Sequence, residues 1–167
     1  LMSLLYSCSA DGVTRTLESQ AVAFGKVNRI NVLCEKEQWE GPLGDSIRFY
    51  YGAAYPILPQ PEPIYDLKHI TLEGLRKDPI LKELRTYLIL ADLSDENSEI
   101  AALVKQDVGA TKLKEAREGK GYGTAVARNK WAKGQTLVYV YGESFDGLIE
   151  SIITGYSAVA KKINSTN

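Results

Sequence analysis

The sequence contains few of the residues from which metal and catalytic sites are usually built. It has two cysteines and a single histidine in 167 residues, whereas a structural zinc site needs several such ligands at close spacing. It also lacks the Gly-x-Ser-x-Gly turn of serine hydrolases and the Gly-Lys-Ser/Thr ending of a phosphate-binding loop. We therefore predict that the chain uses no metal and no cofactor.

An excess of charge of either sign is missing as well. The 20 basic and 21 acidic residues are interspersed and give a formal net charge of −1. Because a nucleic-acid-binding surface normally needs a cluster of basic residues, we expect no nucleic-acid partner. The chain is 44% hydrophobic and 25% charged, a balance that is typical of a soluble globular domain with one core.

The first eight residues are uncharged and mostly apolar. Their last four, Leu5–Cys8 (LYSC), resemble a bacterial lipobox, in which cleavage before the cysteine lets that cysteine carry a lipid. The run is too short to span a bilayer, but acyl chains hold a protein at a membrane because each buried methylene contributes about 0.8 kcal/mol. We expect residues 1–7 to be a signal-peptide remnant and residues 8–24 to be a polar tether lipidated on Cys8. The alternative is a short apolar strand with a structural cysteine.

Hydrophobic patterning predicts one folded domain over residues 25–167. Four strands are predicted, with the most continuously apolar one in the centre of the sheet, and helices with apolar residues three and four apart follow them. The strands cover residues 28–34, 64–70, 86–93 and 135–142. The order and the polar alternation of the second strand favour an α+β fold, a two-layer sandwich with helices packed on a mixed or antiparallel four-stranded sheet. The glycine-rich residues 119–123 are interpreted as a flexible connection.

The segment Trp39–Asp66 holds five of the six prolines and several aromatic residues. Alternate prolines over residues 56–63 fix the backbone in an extended form close to polyproline II. Extended proline segments beside aromatic side chains often bind partners, although such aromatics also pack at the margin of a core. The predicted binding residues in this segment, with one aromatic from a later loop, are Trp39, Tyr55, Gln60, Glu62, Tyr65 and Trp131.

Two groups are candidates for catalysis. His69 lies near Glu62 and Asp66 in the sequence, and the three would have to converge in a pocket to perform acid–base chemistry. A single histidine on a strand is more often structural. Cys34 lies in an apolar strand, which favours a buried structural thiol over a nucleophile.

Several short motifs together resemble a family of Bacteroidetes lipoproteins of unknown activity. They are the lipobox-like Leu5–Cys8, the W-x-G-x-x-G-D pattern of Trp39–Asp45, the L-P-Q-P-E-P run of Leu58–Pro63, and Trp131–Gln135. The resemblance implies a cell-envelope lipoprotein on the outer membrane and a domain that is the N-terminal part of a longer one. The absence of an acidic run after Cys8 favours the periplasmic face.

These observations favour a non-catalytic binding or accessory module. It would be anchored to the membrane through Cys8 and would contact an envelope protein or a glycan through the Trp39–Asp66 region. One alternative is an envelope hydrolase that uses Glu62, Asp66 and His69. Another is a structural scaffold of an envelope assembly.

Overall fold

A computed structural model of the chain describes residues 28–51 and 65–164. The predictions for residues 1–24, including Cys8, and those for Tyr55, Gln60 and Glu62 lie outside the described residues. No helix in the described part of the chain is long and apolar enough to cross a membrane.

Five strands form one sheet. They are β1 (Asn28–Leu33), β2 (Tyr65–Ile70), β3 (Thr86–Asp92), β4 (Tyr122–Arg128) and β5 (Thr136–Gly142). Their spatial order is β2-β1-β3-β5-β4. The first four strands in this order are parallel, and β4 pairs antiparallel with β5. The predicted central position of β3 is confirmed.

Within the described residues, six α-helices connect and follow these strands. They are α1 (Lys36–Trp39), α2 (Pro42–Tyr51), α3 (Leu72–Lys77), α4 (Glu99–Val108), α5 (Ala110–Glu118) and α6 (Phe145–Asn164), and a 3₁₀ helix (Pro79–Glu83) follows α3. Side chains cap several starts: Thr71 accepts a hydrogen bond from the Gly74 amide over 3.0 Å, which satisfies a backbone donor that the first turn of α3 leaves free.

Helices cover both faces of the sheet. One face packs on α2 and α6 through Leu43, Ile47, Leu148 and Ile152, and the other packs on α3, α4 and α5 through Leu75, Ile100, Val104 and Ala116. Successive residues of a strand point to opposite faces, so neighbouring apolar residues of β3 serve both cores. Each fully buried aliphatic side chain contributes about 1.5–3 kcal/mol. Both faces of β3 therefore help to hold the fold together.

The predicted mixture of helices packed on a mixed sheet is confirmed, but two details of the prediction are wrong. The sheet has five strands instead of four, and β4 is the strand that the prediction lacks. The fold has three layers instead of two, because the polar alternation of β2 was taken as a sign of an uncovered sheet face. The structure gives another reason for that pattern: β2 lies at the edge of the sheet, where Asp66 and Lys68 are exposed.

The glycine-rich segment between α5 and β4 is a hydrogen-bonded turn and not a loose connection. The Gly121 amide donates to the Ala116 carbonyl over 2.8 Å, and the Glu143 amide donates to the Gly121 carbonyl over 2.7 Å. Gly121 has a φ of 79°, a conformation that glycine adopts at no steric cost. The turn therefore fixes the start of β4 against the end of β5.

Candidate functional site

The carboxyl ends of β1 and β3 form the point at which the connections of the sheet diverge. From β1 the chain moves to β2 on one side, and from β3 it moves to the other side of the sheet. In open sheets of parallel strands, ligands commonly bind in the crevice at such a point. The residues that emerge here are Cys34 and Glu35 after β1 and the turn that precedes α4 after β3.

Hydrogen-bonded side chains of the protein itself occupy the part of this crevice next to α4. The Ser98 hydroxyl accepts a hydrogen bond from the Ala101 amide over 3.1 Å and donates a hydrogen bond to Oε1 of Glu35 over 2.7 Å. A helix start attracts anions, and here the Glu35 carboxylate supplies that negative charge. On the same turn, Asp92 accepts hydrogen bonds from the amide and the hydroxyl of Ser94. The carboxylates of Glu35 and Asp92 therefore form hydrogen bonds that stabilise the fold.

Beside the crevice, Trp39, Arg48 and His69 form a stacked group that we call the Trp39 cluster. The rings of Trp39 and His69 are stacked, with centroids 5.0 Å apart and planes 9° apart. The Arg48 guanidinium lies 4.8 Å from the centre of the Trp39 ring and donates to the Trp39 carbonyl over 3.1 Å. Asp45 accepts a further hydrogen bond from Arg48 over 2.9 Å. Two other residues of the chain therefore hold the indole in place: His69 through its ring and Arg48 through its guanidinium.

The close approach of α1 and α2 positions this cluster. A Cβ atom at Gly44 would lie 1.8 Å from the backbone oxygen of Trp39, so any side chain there would push the two helices apart. Glycine at position 44 lets Trp39 sit against the start of α2, where Arg48 reaches its ring. The W-x-G-x-x-G-D pattern therefore has a packing explanation at its second glycine.

His69 is held by its neighbours through its ring nitrogen and its ring face. Its Nε2 lies 3.0 Å from the Cys34 carbonyl oxygen, and because a carbonyl only accepts, Nε2 must carry the proton. The ring face is stacked on Trp39. His69 is therefore a structural link between β2, the end of β1 and α1.

The structure does not bring Asp66 and His69 together. They lie three positions apart along β2, so their side chains leave opposite faces of the strand. Asp66 instead accepts a hydrogen bond from Nε of Arg29 over 2.7 Å on the neighbouring strand. The structure therefore does not show, for this pair, the convergence that the hydrolase alternative requires, because the alternation of a strand separates residues at odd spacing.

Most of the chain matches a known protein family. Residues 23–167 match a family described as a domain of unknown function, DUF8532. The chain belongs to this family. No curated protein and no solved structure matches it. The expectation of a domain without an assigned function is confirmed.

Two other predicted binding residues of the DUF8532 domain lie away from the Trp39 cluster. Tyr65 is fully buried, and its ring lies 6.4 Å from that of Tyr51 in the core. Trp131 packs edge-on against Tyr87 with ring centroids 5.3 Å apart, beside the other face of the sheet and near the amino ends of β3 and β5. Trp39 and Trp131 are thus at opposite ends of the parallel strands and belong to separate surfaces.

The thiol of Cys34 is buried and has a raised pKa. The side chain is fully buried, and burial, with a smaller contribution from the Glu35 charge, raises its pKa to about 12. Only the thiolate is a nucleophile, so the thiol stays protonated and unreactive at neutral pH. In the described residues of the DUF8532 domain, no group of three or more histidine, cysteine, aspartate or glutamate side chains could hold a metal ion.

Sequence reasoning missed Arg48 and the Glu35–Ser98 contact. The spacing of Asp45 and Arg48, three residues apart on a helix, is a visible signal for an ion pair. The hydrogen bond between Glu35 and Ser98 joins residues far apart in the chain, and no local pattern indicates it.

Proposed function

We propose that the DUF8532 domain of this chain is a non-catalytic binding module of a cell-envelope lipoprotein. Residues 25–167 form the module, a lipid on Cys8 and the tether over residues 8–24 hold it at the outer membrane, and it faces the periplasm. The Trp39 cluster and the adjoining outer side of α2 form its contact surface. The lipobox-like start of the sequence supports the location.

The stacked arrangement of Trp39 is the observation that carries the binding role. Binding interfaces are rich in tryptophan, tyrosine and arginine, and a few such side chains supply most of the binding energy. Side chains that are already fixed lose little conformational entropy when a partner binds. Trp39 and Arg48 are fixed in this way, and beside them Phe49 is 37% exposed and packs edge-on against Tyr50.

A protein partner fits this surface better than a glycan does. A sugar ring binds an aromatic side chain by covering an open ring face. In the Trp39 cluster, the His69 imidazole and the Arg48 guanidinium already use ring surface of the indole. What the surface offers is the half-buried indole, a cationic group and the exposed ring of Phe49, which suit the apolar and acidic side chains of a protein.

Site-specific photo-crosslinking in intact cells tests the proposal. A crosslinking amino acid replaces Glu37 or Phe49 in the full chain, and a matched control carries it at the exposed Lys105 on α4, which packs on the other face of the sheet. We expect one specific protein product from positions 37 and 49 and none from position 105. A glycan product, or equal products from all three positions, would contradict the protein-binding role.

The membrane anchor has a separate test. Cys8→Ser should move the protein from the membrane fraction to the soluble fraction and abolish incorporation of labelled fatty acid. Retention of either property in Cys8→Ser would refute lipidation on Cys8. The binding role would be unaffected by that result, because crosslinking tests it separately.

A further inference from the structure

We infer that one end of the domain, which we call the basic end, lies against the anionic surface of the membrane. The basic end consists of Lys82, Arg85, Arg128, Trp131 and Lys133. The choice of a membrane as the partner rests on the proposed lipid anchor. The orientation of the anchored domain is new, because it decides which face meets the lipid and which face stays open to a protein partner.

The strand directions bring the basic end together from two separate turns. The strands β1, β3 and β5 are parallel, so their amino ends lie at the same end of the sheet. The antiparallel strand β4 ends there as well. Residues 82–85, before β3, therefore lie next to residues 128–135, between β4 and β5, because β3 and β5 are neighbours in the sheet. Basic residues that are far apart in the sequence are gathered on one surface.

Hydrogen bonds fix these two turns against each other. The Thr136 amide donates to the Arg85 carbonyl over 2.8 Å. The Gln135 side chain, which is buried, donates to the Lys82 carbonyl and to the Leu84 carbonyl over 2.7 Å each. The backbone that carries the cations is therefore already ordered, which lowers the entropy lost when a partner binds.

The cations of the basic end have no counter-charge from the described residues. All four are exposed, and none forms an ion pair within residues 28–51 and 65–164. By contrast, Lys130 in the same turn is paired with Asp107, and Arg29 near the amino end of β1 is paired with Asp66. Glu83 is the one acidic residue in the two turns. The basic end therefore keeps a net positive charge.

The other end of the sheet carries the opposite charge. The segments at the carboxyl ends of β1, β3 and β5 are residues 34–41, 92–99 and 142–146. They contain one basic residue, Lys36, and nine acidic residues: Glu35, Glu37, Glu40, Asp92, Asp95, Glu96, Glu99, Glu143 and Asp146. An anionic surface attracts one end of such a domain and repels the other. This separation of charge orients the domain.

The position of the basic end favours a membrane over a dissolved anion. Asn31 of β1 pairs with Tyr87 of β3, so Asn28 lies beside the turn that precedes β3. The proposed tether over residues 8–24 reaches the domain at this point. Anionic lipids attract basic residues that are held close to the membrane, and a basic patch strengthens the attachment that acyl chains provide. The anchor and the basic end therefore act at the same end of the domain.

Trp131 adds an aromatic ring to the basic end. It is half-buried and packs edge-on against Tyr87. Tryptophan is favoured at the boundary between lipid and water because its ring is apolar and its N–H group is polar. The Trp39 cluster lies at the other end of the parallel strands. In this orientation it faces away from the membrane, where a partner protein can reach it.

Sedimentation of lipid vesicles with the full Cys8→Ser chain tests the inference without the lipid anchor. We expect binding to vesicles that contain phosphatidylglycerol and at least about tenfold weaker binding to vesicles of phosphatidylcholine alone. Lys82→Gln/Lys133→Gln should weaken binding to the anionic vesicles about 25-fold, or about fivefold for each cation. The control Lys36→Gln/Lys120→Gln changes the net charge equally at the other end and should alter binding less than about twofold.

The two tryptophans report the orientation on the vesicles. With brominated phosphatidylglycerol, the fluorescence of Trp131 in a Trp39→Phe variant should be quenched, and that of Trp39 in a Trp131→Phe variant should not. Equal binding to the two kinds of vesicle, equal binding by the two lysine variants, or stronger quenching of Trp39 would overturn the inference. Binding to duplex DNA without binding to vesicles would also overturn it. None of these results bears on lipidation of Cys8, which fatty-acid incorporation measures separately.

Discussion

The hydroxyl of Tyr139 donates a hydrogen bond to Oδ2 of Asp107 over 2.7 Å. Lys130 pairs with the other oxygen of the same carboxylate, whose side chain is only 4% exposed. One buried carboxylate therefore joins α4 to the inner strand β5 and to the loop between β4 and β5.

Asp107→Ala should destabilise the protein by about 2–3 kcal/mol, because it leaves the buried Tyr139 hydroxyl without its acceptor and Lys130 without its partner. Urea unfolding measures the change. The control is Glu118→Ala, which removes an exposed ion pair with Lys114 and should cost less than about 0.5 kcal/mol. In the Tyr139→Phe background, Asp107→Ala should cost less. Equal costs for Asp107→Ala and Glu118→Ala would show that the carboxylate does not hold these elements together.

Ser98→Asp should be destabilising, although aspartate is normally a good residue at a helix start. The new carboxylate would face Glu35, which in the native protein accepts a hydrogen bond from the Ser98 hydroxyl, and two neighbouring carboxylates repel. We expect a loss of about 1–2 kcal/mol at pH 7 by urea unfolding. Adding Glu35→Gln should recover most of it.

Thr71→Asp at the start of α3 is the matched control for this prediction. Thr71 also caps its helix, and the change there should alter stability by less than about 0.5 kcal/mol. A stable Ser98→Asp variant, or one that Glu35→Gln does not rescue, would refute the role of Glu35 at the start of α4.

Gly44→Ala should destabilise the protein by about 3 kcal/mol, because its Cβ atom would collide with the Trp39 backbone. In a Trp131→Phe background, the fluorescence of Trp39 should also shift to the red as the indole leaves its stack. Gly74→Ala, whose Cβ would meet the Thr71 hydroxyl at 3.3 Å, should change stability by less than about 1 kcal/mol. An unshifted emission spectrum in Gly44→Ala would contradict the packing explanation of the glycine.

The stability of the folded protein should fall at alkaline pH because of Cys34. Its pKa is about 12 in the folded chain against an ordinary value near 9. A raised pKa means that the folded state holds the proton more tightly. The stabilisation is therefore complete below about pH 9 and is lost as the pH rises toward 12.

Between pH 8 and pH 10, the stability of a Cys8→Ser variant should fall by about 1.4 kcal/mol more than that of Cys8→Ser/Cys34→Ala. Urea unfolding at the two pH values measures this difference. Iodoacetamide should label Cys34 only after unfolding at pH 8. Rapid labelling of the native protein would show that the thiol is not buried as described.

Local sequence patterns predicted the elements that leave a recognisable pattern over a few consecutive residues. The long apolar runs around Leu88 and Val138 correctly indicated buried strands. The strand β4 was missed because its first residues follow Gly119 and Gly121 and include Gly123, and glycine favours turns over strands. The number of layers was missed because polar residues on an edge strand produce the same alternation as an uncovered sheet face.

The candidate site was predictable only in part. The composition of the segment Trp39–Asp66 singled out Trp39, but its partner His69 lies on β2, outside that segment. The stacking of the two rings depends on the register that pairs Val32 with His69.

The strand order also has a consequence for the route by which the chain folds. The pairing of β4 with β5 and the packing of α6 on them join residues close in the sequence, whereas the pairing of β1 with β3 joins Asn31 to Tyr87. Closing a short loop costs less entropy than closing a long one. We therefore expect the folding nucleus to lie in the carboxyl-terminal third of the chain, with β1 joining last. In folding kinetics, Val138→Ala should mainly slow folding and Val32→Ala should mainly speed unfolding, and the reverse pattern would place the nucleus at β1.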